Sequence, residues 1–183
     1  LSTPNQHNKY HFQESKYKAF IKKMMFSMNE GDKWEKSKFM GVELYGKTLG
    51  VIGCGNIGSI VANRALGLKM NVIAFDPFLT EERAKQMNVK KVELSELAKE
   101  SDFISLHAPL TPETKWVVDE KFLQSMKPTA FLVNVARGPL VKTDAIVQAL
   151  RENWIAGAAL DVLEEEPVPA DHPLIDLDNV ILT

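Results

Sequence analysis

The sequence predicts an α/β protein, in which a parallel sheet is covered by helices on both faces. From Lys47 onward, short apolar runs typical of buried strands alternate with segments of helical periodicity. The first run opens into the glycine-rich segment Gly53–Gly58, and the second ends in an acidic residue, Asp76, before a proline. Because parallel strands need crossover connections, this alternation predicts a doubly wound parallel sheet of the Rossmann type.

The individual elements are predicted from periodicity and from cap and turn residues. Leu49–Ile52 is the first strand, and the helix after it carries apolar residues at helical intervals up to Gly67. Asn71–Asp76 is the second strand, and Thr80 caps a helix with acids in its first turn. The later predictions are strands at Val89–Val92, Asp102–Leu106, Ala130–Asn134, Ala156–Val162 and Asn179–Thr183, and helices at Ser95–Ala98, Lys121–Met126 and Asp144–Glu152.

The glycine-rich segment has the G-x-G-x-x-G spacing of a dinucleotide site. Its glycines permit a sharp strand-to-helix turn, close approach of the backbone to a pyrophosphate, and tight helix packing. Asp76 is placed to accept hydrogen bonds from the adenosine ribose, and its charge opposes a 2′-phosphate, so we predict NAD rather than NADP. The alternative, a turn that packs a helix on a strand without any ligand, is disfavoured because strand, helix and acid are all present.

Composition narrows the class of protein. The chain has 183 residues, 45% hydrophobic and 25% charged, with a net charge of -2, so neither nucleic acid nor a membrane is an expected partner. The lysine-rich segment 1–40 also contains acids, and its predicted helix, Glu14–Met28, is interpreted as a solvated face rather than a nucleic-acid arm. The single cysteine, Cys54, fits the glycine loop as a small side chain. We expect a cytoplasmic protein, since no signal peptide or membrane span is visible. We also expect no metal site.

Polar residues that follow the strands are the candidate chemical groups. Arg137 directly follows a buried strand, and its planar fork suits the carboxylate and adjacent carbonyl of a 2-oxo acid; a surface ion pair is the alternative. His107 is either an acid/base or, as its tight turn favours, a hydrogen-bonded structural histidine beside the cofactor. Spacing alone does not show which of the three consecutive acids Glu164–Glu166 has a chemical role. The other histidines, His7, His11 and His172, are expected at the surface.

Taken together, the motifs resemble the D-2-hydroxyacid dehydrogenases. The resemblance rests on five ordered segments: Gly53–Gly58, Asp76–Pro77, Leu106–Thr111, Asn134–Gly138, and Gly157–Val162 continuing through Glu166–Pro167. Within that family, Trp34–Leu44 running into Gly46–Gly50 is most similar to the bacterial D-3-phosphoglycerate dehydrogenase branch.

The resemblance implies roles for individual residues. Arg137 would bind the substrate carboxylate and carbonyl oxygen, and Glu166 would orient and tune a catalytic histidine. The cofactor would be NAD, and the substrate a D-2-hydroxy acid, 3-phosphoglycerate in serine biosynthesis. The implied cofactor-binding residues are Gly53, Gly55, Asn56, Ile57, Gly58, Asp76, Ala108, Pro109, Val135, Ala136, Arg137 and Asp161.

The departures from the family pattern shape the expected domain organisation. The family's histidine follows a segment like Asn179–Thr183, and no histidine here matches that place. We therefore expect residues 1–40 to be a partial interdomain or substrate-domain segment with a helix, residues 41–183 to be the NAD-binding domain, and this chain to be inactive alone. Reduction of glyoxylate or hydroxypyruvate, and a non-catalytic NAD-sensing module, stay open. A homodimer through the nucleotide domain is expected by analogy.

Overall fold

The computed structural model describes residues 41–183, with a compact unit spanning Leu44–Thr183. The predicted helix Glu14–Met28, together with His7 and His11, lies outside the described residues. The strands of the unit are β1 Thr48–Ile52, β2 Asn71–Phe75, β3 Lys90–Lys91, β4 Phe103–Leu106, β5 Phe131–Asn134, β6 Gly157–Leu160 and β7 Val180–Leu182. Its helices are α1 Asn56–Gly67, α2 Glu81–Gln86, α3 Leu94–Glu100, α4 Glu120–Ser125 and α5 Thr143–Arg151, with a 3₁₀ turn at Gly138–Leu140.

The strands form one sheet in the order β3-β2-β1-β4-β5-β6-β7, and every pairing is parallel. The direction of winding reverses between β1 and β4, which creates the switch point where doubly wound sheets bind ligands. The predicted Rossmann-type architecture is therefore confirmed. Each predicted strand and helix within residues 41–183 is present, with ends that differ by a few residues.

Apolar packing covers both faces of the sheet. Val51 packs into one cluster with Ala62 and Ala65 of α1, whereas its neighbour Ile52 packs into a second cluster that includes Leu97 and Leu123. Because successive strand residues point to opposite faces, this division shows that β1 lies between two helical layers. The sequence signals this by a continuous apolar strand rather than an alternating one.

A largely buried carboxylate fixes the amino end of the central strands. Asp102 Oδ2 accepts the Thr48 backbone N–H at 2.8 Å, and its Oδ1 accepts the Lys127 ammonium at 2.9 Å. Burial alone raises the pKa of this carboxyl, but the Thr48 and Lys127 donors outweigh burial and hold it below its ordinary value. The ionised form is thus favoured in the folded state.

We expect Asp102→Asn to lower the free energy of unfolding by about 1–2 kcal/mol at neutral pH, because one charge-assisted hydrogen bond is lost. A carboxyl with a depressed folded-state pKa stabilises above its unfolded value and loses that contribution as the pH falls through the folded value. Urea unfolding across pH 2–7 measures this, and the two proteins should converge in acid. A constant difference at all pH values would contradict the ionic origin.

The expectation that His172 is exposed is wrong. The residue is 7% exposed, and its Nδ1 accepts the backbone N–H of the fully buried Leu174 at 3.3 Å. Its own backbone N–H donates to the Pro169 carbonyl at 3.2 Å, which closes a turn. The segment between β6 and β7 contains no regular element, so no hydrophobic periodicity in the sequence could reveal this burial.

Candidate functional site

The strand ends form a single row along one edge of the sheet. Phe75, Ile52, Leu106, Asn134, Leu160 and Leu182 pair with one another in that order across six neighbouring strands. The next residue on each strand is, in the same order, Asp76, Gly53, His107, Val135, Asp161 and Thr183. The predicted functional groups therefore emerge side by side from the carboxyl edge, as ligand-binding groups do in open α/β sheets.

A cleft of about 250 Å³ opens beside this row at the switch point. Backbone hydrogen bonds join its walls, since Gly53 N–H donates to Phe75 O at 2.9 Å and His107 N–H to Ile52 O at 2.7 Å. The residues that line it are Gly53, Cys54, Gly55, Asp76, Phe78, Leu79, Arg83, His107 and Pro109. Four of the predicted cofactor contacts thus share one cleft.

The three positions of the loop are occupied by glycine for different structural reasons. Gly53 has φ +88°, and a Cβ there would lie 2.6 Å from the Ala108 backbone nitrogen. A Cβ on Gly58 would overlap the carbonyl oxygen of Gly53, so this glycine lets α1 pack directly on the turn. A Cβ on Gly55 would meet no protein atom within 4 Å. Protein packing alone does not call for glycine at position 55, which fits the close approach of a pyrophosphate.

The amino terminus of α1 is open for an anion. Its N-cap residue is Gly55, no side chain caps it, and its first turn contains no acid. The first N–H groups of a helix lack intrahelical partners and carry a partial positive charge, which favours phosphate. The predicted pyrophosphate contacts Asn56 and Ile57 are the first residues of this helix, and Ile57 is 67% exposed. The chain's own residues therefore fit the diphosphate of a dinucleotide.

Asp76 both lines the cleft and holds its shape. Its Oδ2 accepts the Cys54 N–H at 2.7 Å, and its Oδ1 accepts the Phe78 N–H at 2.8 Å. Each carboxylate oxygen has two acceptor sites, so these bonds leave capacity for ribose hydroxyls. The bonds to the loop were not foreseen from the sequence, and they orient the carboxylate toward the glycine turn.

His107 and Cys54 behave as structural residues of the cleft. His107 Nε2 lies 2.9 Å from Ser105 Oγ, and burial lowers the pKa of the imidazole. The Cys54 side chain is 1% exposed; burial and then the Asp76 charge raise the pKa of its thiol against the opposing charge of Arg83. A neutral, buried thiol is a weak nucleophile. Both observations agree with the structural interpretation of these residues.

The loop that carries Arg137 is shaped by Asn134, whose side chain is fully buried. Its Oδ1 accepts the Ala136 N–H at 3.1 Å, and its Nδ2 donates to the Arg137 carbonyl at 3.0 Å. The Arg137 side chain is exposed, and its Nη1 donates to Ala136 O at 2.7 Å. A rigid turn thus presents a guanidinium that forms no ion pair among the described residues, which disfavours the surface ion-pair alternative.

The acidic segment Glu164–Glu166 and the preceding Leu163 contact the Arg137 loop through backbone atoms. A Cβ on Gly138 would overlap the Leu163 carbonyl and approach within 2.7 Å of the Glu164 nitrogen, so the two segments lie in direct contact. The N–H of Leu163 donates to Glu166 Oε1 at 3.1 Å. Leu163 therefore contacts the residue after Arg137 on one side and holds Glu166 on the other.

Glu164 differs from Glu166 in how its carboxylate is used. Its Oε1 accepts the Trp116 indole N–H at 2.6 Å, and its Oε2 accepts the Thr143 backbone N–H at 2.6 Å. Burial raises the pKa of this carboxyl, but these two donors outweigh it and the net shift is downward. Both oxygens of Glu164 have protein partners, whereas Glu166 is exposed and engages one oxygen. The structure thus separates two acids that spacing could not.

The other predicted contacts lie along the same edge but outside the cleft lining. Ala108 is 8% exposed and packs against the Gly53 turn, and Val135, in the loop after β5, is 50% exposed. Asp161 follows β6 and accepts the Thr183 hydroxyl at 2.7 Å. The cleft residues that sequence reasoning missed are Phe78, Leu79 and Arg83. Their only signal in the sequence was their place just after Asp76.

Within residues 41–183, no group of three or more histidine, cysteine, aspartate or glutamate side chains is arranged to hold a metal ion. In the same part of the chain, no helix has the length and apolar character needed to cross a bilayer.

Comparisons with known proteins agree with this geometry. Residues 18–183 match the family model described as D-isomer specific 2-hydroxyacid dehydrogenase, NAD binding domain. The chain is 49% identical over 158 residues to the D-3-phosphoglycerate dehydrogenase of Methanocaldococcus jannaschii, covering 86% of this chain and 30% of that protein. It is 48% identical over 149 residues to the glyoxylate reductase of Korarchaeum cryptofilum, covering 81% and 45% respectively. The chain thus spans less than half the length of these relatives.

Solved structures show the same similarity. The TT0316 protein of Thermus thermophilus superposes with a TM-score of 0.79 at 38% identity, covering 91% of this chain and 52% of that one. The NAD-complexed D-isomer specific 2-hydroxyacid dehydrogenase of Lactobacillus delbrueckii ssp. bulgaricus gives 0.74 at 33% identity, covering 87% and 52%.

The fold and the cleft define a dinucleotide-binding domain of the Rossmann type. The chain belongs to the D-isomer-specific 2-hydroxyacid dehydrogenase family and contains the NAD-binding domain of that family. Its cofactor is NAD.

We expect Asp76→Ala to weaken NADH binding about tenfold or more and to reduce the preference for NADH over NADPH. The substitution removes the ribose acceptor, the negative charge that opposes a 2′-phosphate, and two bonds to the loop. Asp76→Asn is the matched variant, because it keeps one acceptor oxygen while it removes the charge and one of the two loop bonds. Calorimetric titration of each protein with both cofactors measures the effect. Unchanged affinities for both cofactors would show that Asp76 is not the ribose acceptor.

Proposed function

We propose that this chain is the nucleotide domain of a full-length dehydrogenase that transfers a hydride between NAD and a D-2-hydroxy acid, with 3-phosphoglycerate as the substrate and 3-phosphohydroxypyruvate as the product. The observation that carries the proposal is the contact of the Arg137 turn with the Glu166 segment through Gly138 and Leu163. Arg137, the proposed partner of the substrate carboxylate, and Glu166, the proposed partner of a histidine, are thereby linked at the carboxyl edge of the sheet. A pure NAD sensor has no need of this pair.

In this proposal Arg137 binds the substrate. Its guanidinium donates to the substrate carboxylate and to the oxygen on C2, which orients C2 toward the cofactor. The fork also stabilises negative charge that develops on the C2 oxygen. The turn built by Asn134 supports this role, because it holds the Ala136 N–H and the Arg137 carbonyl while the Arg137 side chain stays exposed.

Glu166 acts through a histidine that we place in the part of the full-length protein that follows this chain. A carboxylate beside an imidazole favours the imidazolium, so the histidine can give its proton to the C2 oxygen during reduction and remove it during oxidation. When bound, NAD supplies the hydride acceptor and NADH the donor. Glu166 suits this role better than Glu164, since Glu164 already accepts two N–H donors.

The substrate assignment rests on the sequence resemblance of Trp34–Leu44 to D-3-phosphoglycerate dehydrogenases and on relatives with that name. Relatives named glyoxylate reductase are about equally similar, at 48% and 47% identity. Reduction of glyoxylate or hydroxypyruvate is therefore the second candidate. The resemblance to dehydrogenases also supports, as further proposals, a homodimer through the nucleotide domain, a cytoplasmic location and a role in serine biosynthesis.

The experiment that tests this function measures NADH formation by the full-length protein with 3-phosphoglycerate, and NADH consumption with glyoxylate and hydroxypyruvate. We expect turnover with 3-phosphoglycerate at the highest kcat/KM. Preference for glyoxylate would reassign the substrate within the same chemistry. A protein that binds NADH but turns over none of these acids would instead support the NAD-sensing module.

A further inference from the structure

Trp116 joins two segments that follow different strands. Its backbone N–H donates to the Pro139 carbonyl at 2.8 Å, and its indole Nε1 donates to Glu164 Oε1 at 2.6 Å. Pro139 lies two residues after Arg137, and Glu164 lies two residues before Glu166. One residue therefore makes a hydrogen bond close to each of the two groups that the proposed reaction requires.

The Trp116 ring is held on several sides. Lys115 Nζ lies 4.3 Å from the ring centroid and Lys142 Nζ lies 5.9 Å from it, distances at which a cation and an aromatic face attract. The second oxygen of Glu164 accepts the N–H of Thr143, the first residue of α5. The indole–carboxylate bond is thus tied to the start of a helix as well as to the acid run.

The backbone of Trp116 indicates that these contacts fix its position. Its φ is 56°, a left-handed conformation that bulky side chains rarely adopt. Such a conformation persists only where the surrounding structure determines it. The residue is nevertheless 42% exposed, so burial of apolar surface does not by itself explain why the chain accepts a tryptophan there.

We propose that Trp116 is a positioning residue of the dehydrogenase reaction, which sets the spacing between the Arg137 turn and the Glu166 segment through its backbone bond to Pro139 and its indole bond to Glu164. This inference rests on the proposed function. Trp116 does not touch the substrate or the cofactor in this scheme, and it acts only by holding the two segments together.

The test compares Trp116→Phe with Trp154→Phe in the full-length dehydrogenase. Trp154 is the matched control, because its indole also donates to a glutamate, Glu152 Oε2 at 3.0 Å, but across only two residues of sequence. Phenylalanine keeps an aromatic ring at both places and removes the N–H donor. Glu164→Ala removes both acceptor oxygens and tests the Trp116 bond from its acceptor side, should Trp116→Phe fail to fold.

We expect Trp116→Phe to lower kcat about tenfold and to leave NADH affinity within twofold of wild type. The upper pH limit of the reduction reaction should move to lower pH, because a displaced Glu166 supports the imidazolium less well. Glu164→Ala should show the same pattern, and the double variant should be no worse than the more affected single one, as for residues that share one interaction. Trp154→Phe should match wild type.

The outcomes separate this inference from the function on which it rests. A wild-type protein without turnover of any 2-hydroxy acid removes the proposed function and the positioning role with it. An active wild type, with Trp116→Phe equal to Trp154→Phe in kcat, KM and pH profile, overturns the positioning role alone. A Trp116→Phe protein that loses kcat but keeps the wild-type pH profile, with additive effects of Glu164→Ala, overturns it also.

Discussion

Gly53→Ala is expected to abolish measurable NADH binding by this chain and to lower its free energy of unfolding by about 2–4 kcal/mol. The residue has φ +88°, and the added Cβ would lie 2.6 Å from the Ala108 nitrogen and 2.7 Å from the His107 carbonyl carbon. Both neighbours are backbone atoms of the segment after β4, so they cannot rotate away. The turn must move, and the cleft between β1 and β4 loses its shape. Urea unfolding and calorimetric titration measure the two effects.

Gly55→Ala is the matched control, because its Cβ would meet no protein atom within 4 Å. We expect its unfolding free energy to stay within about 0.5 kcal/mol of wild type, as for surface substitutions, while NADH affinity falls at least tenfold. The contrast distinguishes a glycine required by the protein from one required by the ligand. If Gly55→Ala binds NADH as tightly as wild type, the pyrophosphate does not approach the loop there.

Arg137→Lys is expected to lower kcat/KM of the full-length dehydrogenase by about 10²–10⁴-fold and to leave NADH affinity nearly unchanged. Lysine keeps the charge but loses the two parallel donors that match a carboxylate and an adjacent oxygen, and each charged hydrogen bond contributes about 1.5–3 kcal/mol. The Asn134 side chain binds only backbone of this turn, so the loop should survive the change. Steady-state kinetics measure kcat/KM, and calorimetric titration measures the NADH affinity.

Arg151→Lys provides the control, since Arg151 is an exposed arginine in the last turn of α5. It should leave kcat/KM unchanged. A small effect of Arg137→Lys, similar to that of Arg151→Lys, would assign the substrate carboxylate to another cation and would require a new interpretation of the β5 loop.

Much of the fold follows from the sequence because its signals are local. The continuous apolar strands, the glycine spacing and the acid after β2 each depend on a few neighbouring residues, and parallel pairing then brings their ends into one row. The cap by Thr80 is of the same kind, since its hydroxyl accepts the Arg83 N–H three residues later. Such signals are enough to predict the candidate cofactor residues without any structure.

The parts that sequence reasoning missed depend on contacts between distant residues. Trp116 and Glu164 are 48 positions apart, and nothing near either residue indicates the other. Gly138, in the 3₁₀ turn at Gly138–Leu140, packs against Leu163, and local patterns do not encode that contact. His172 is buried by a segment without periodicity. These contacts lie in loops rather than strands, and loops determine the geometry around Arg137 and Glu166.

The most direct test of the account is calorimetric titration of this chain with NADH and NADPH. Gly53, the α1 N-cap residue Gly55 and Asp76 line one cleft, so we predict saturable 1:1 binding of NADH and at least tenfold weaker binding of NADPH. The absence of saturable NADH binding, or NADPH binding as tight as that of NADH, would contradict the assignment of this cleft.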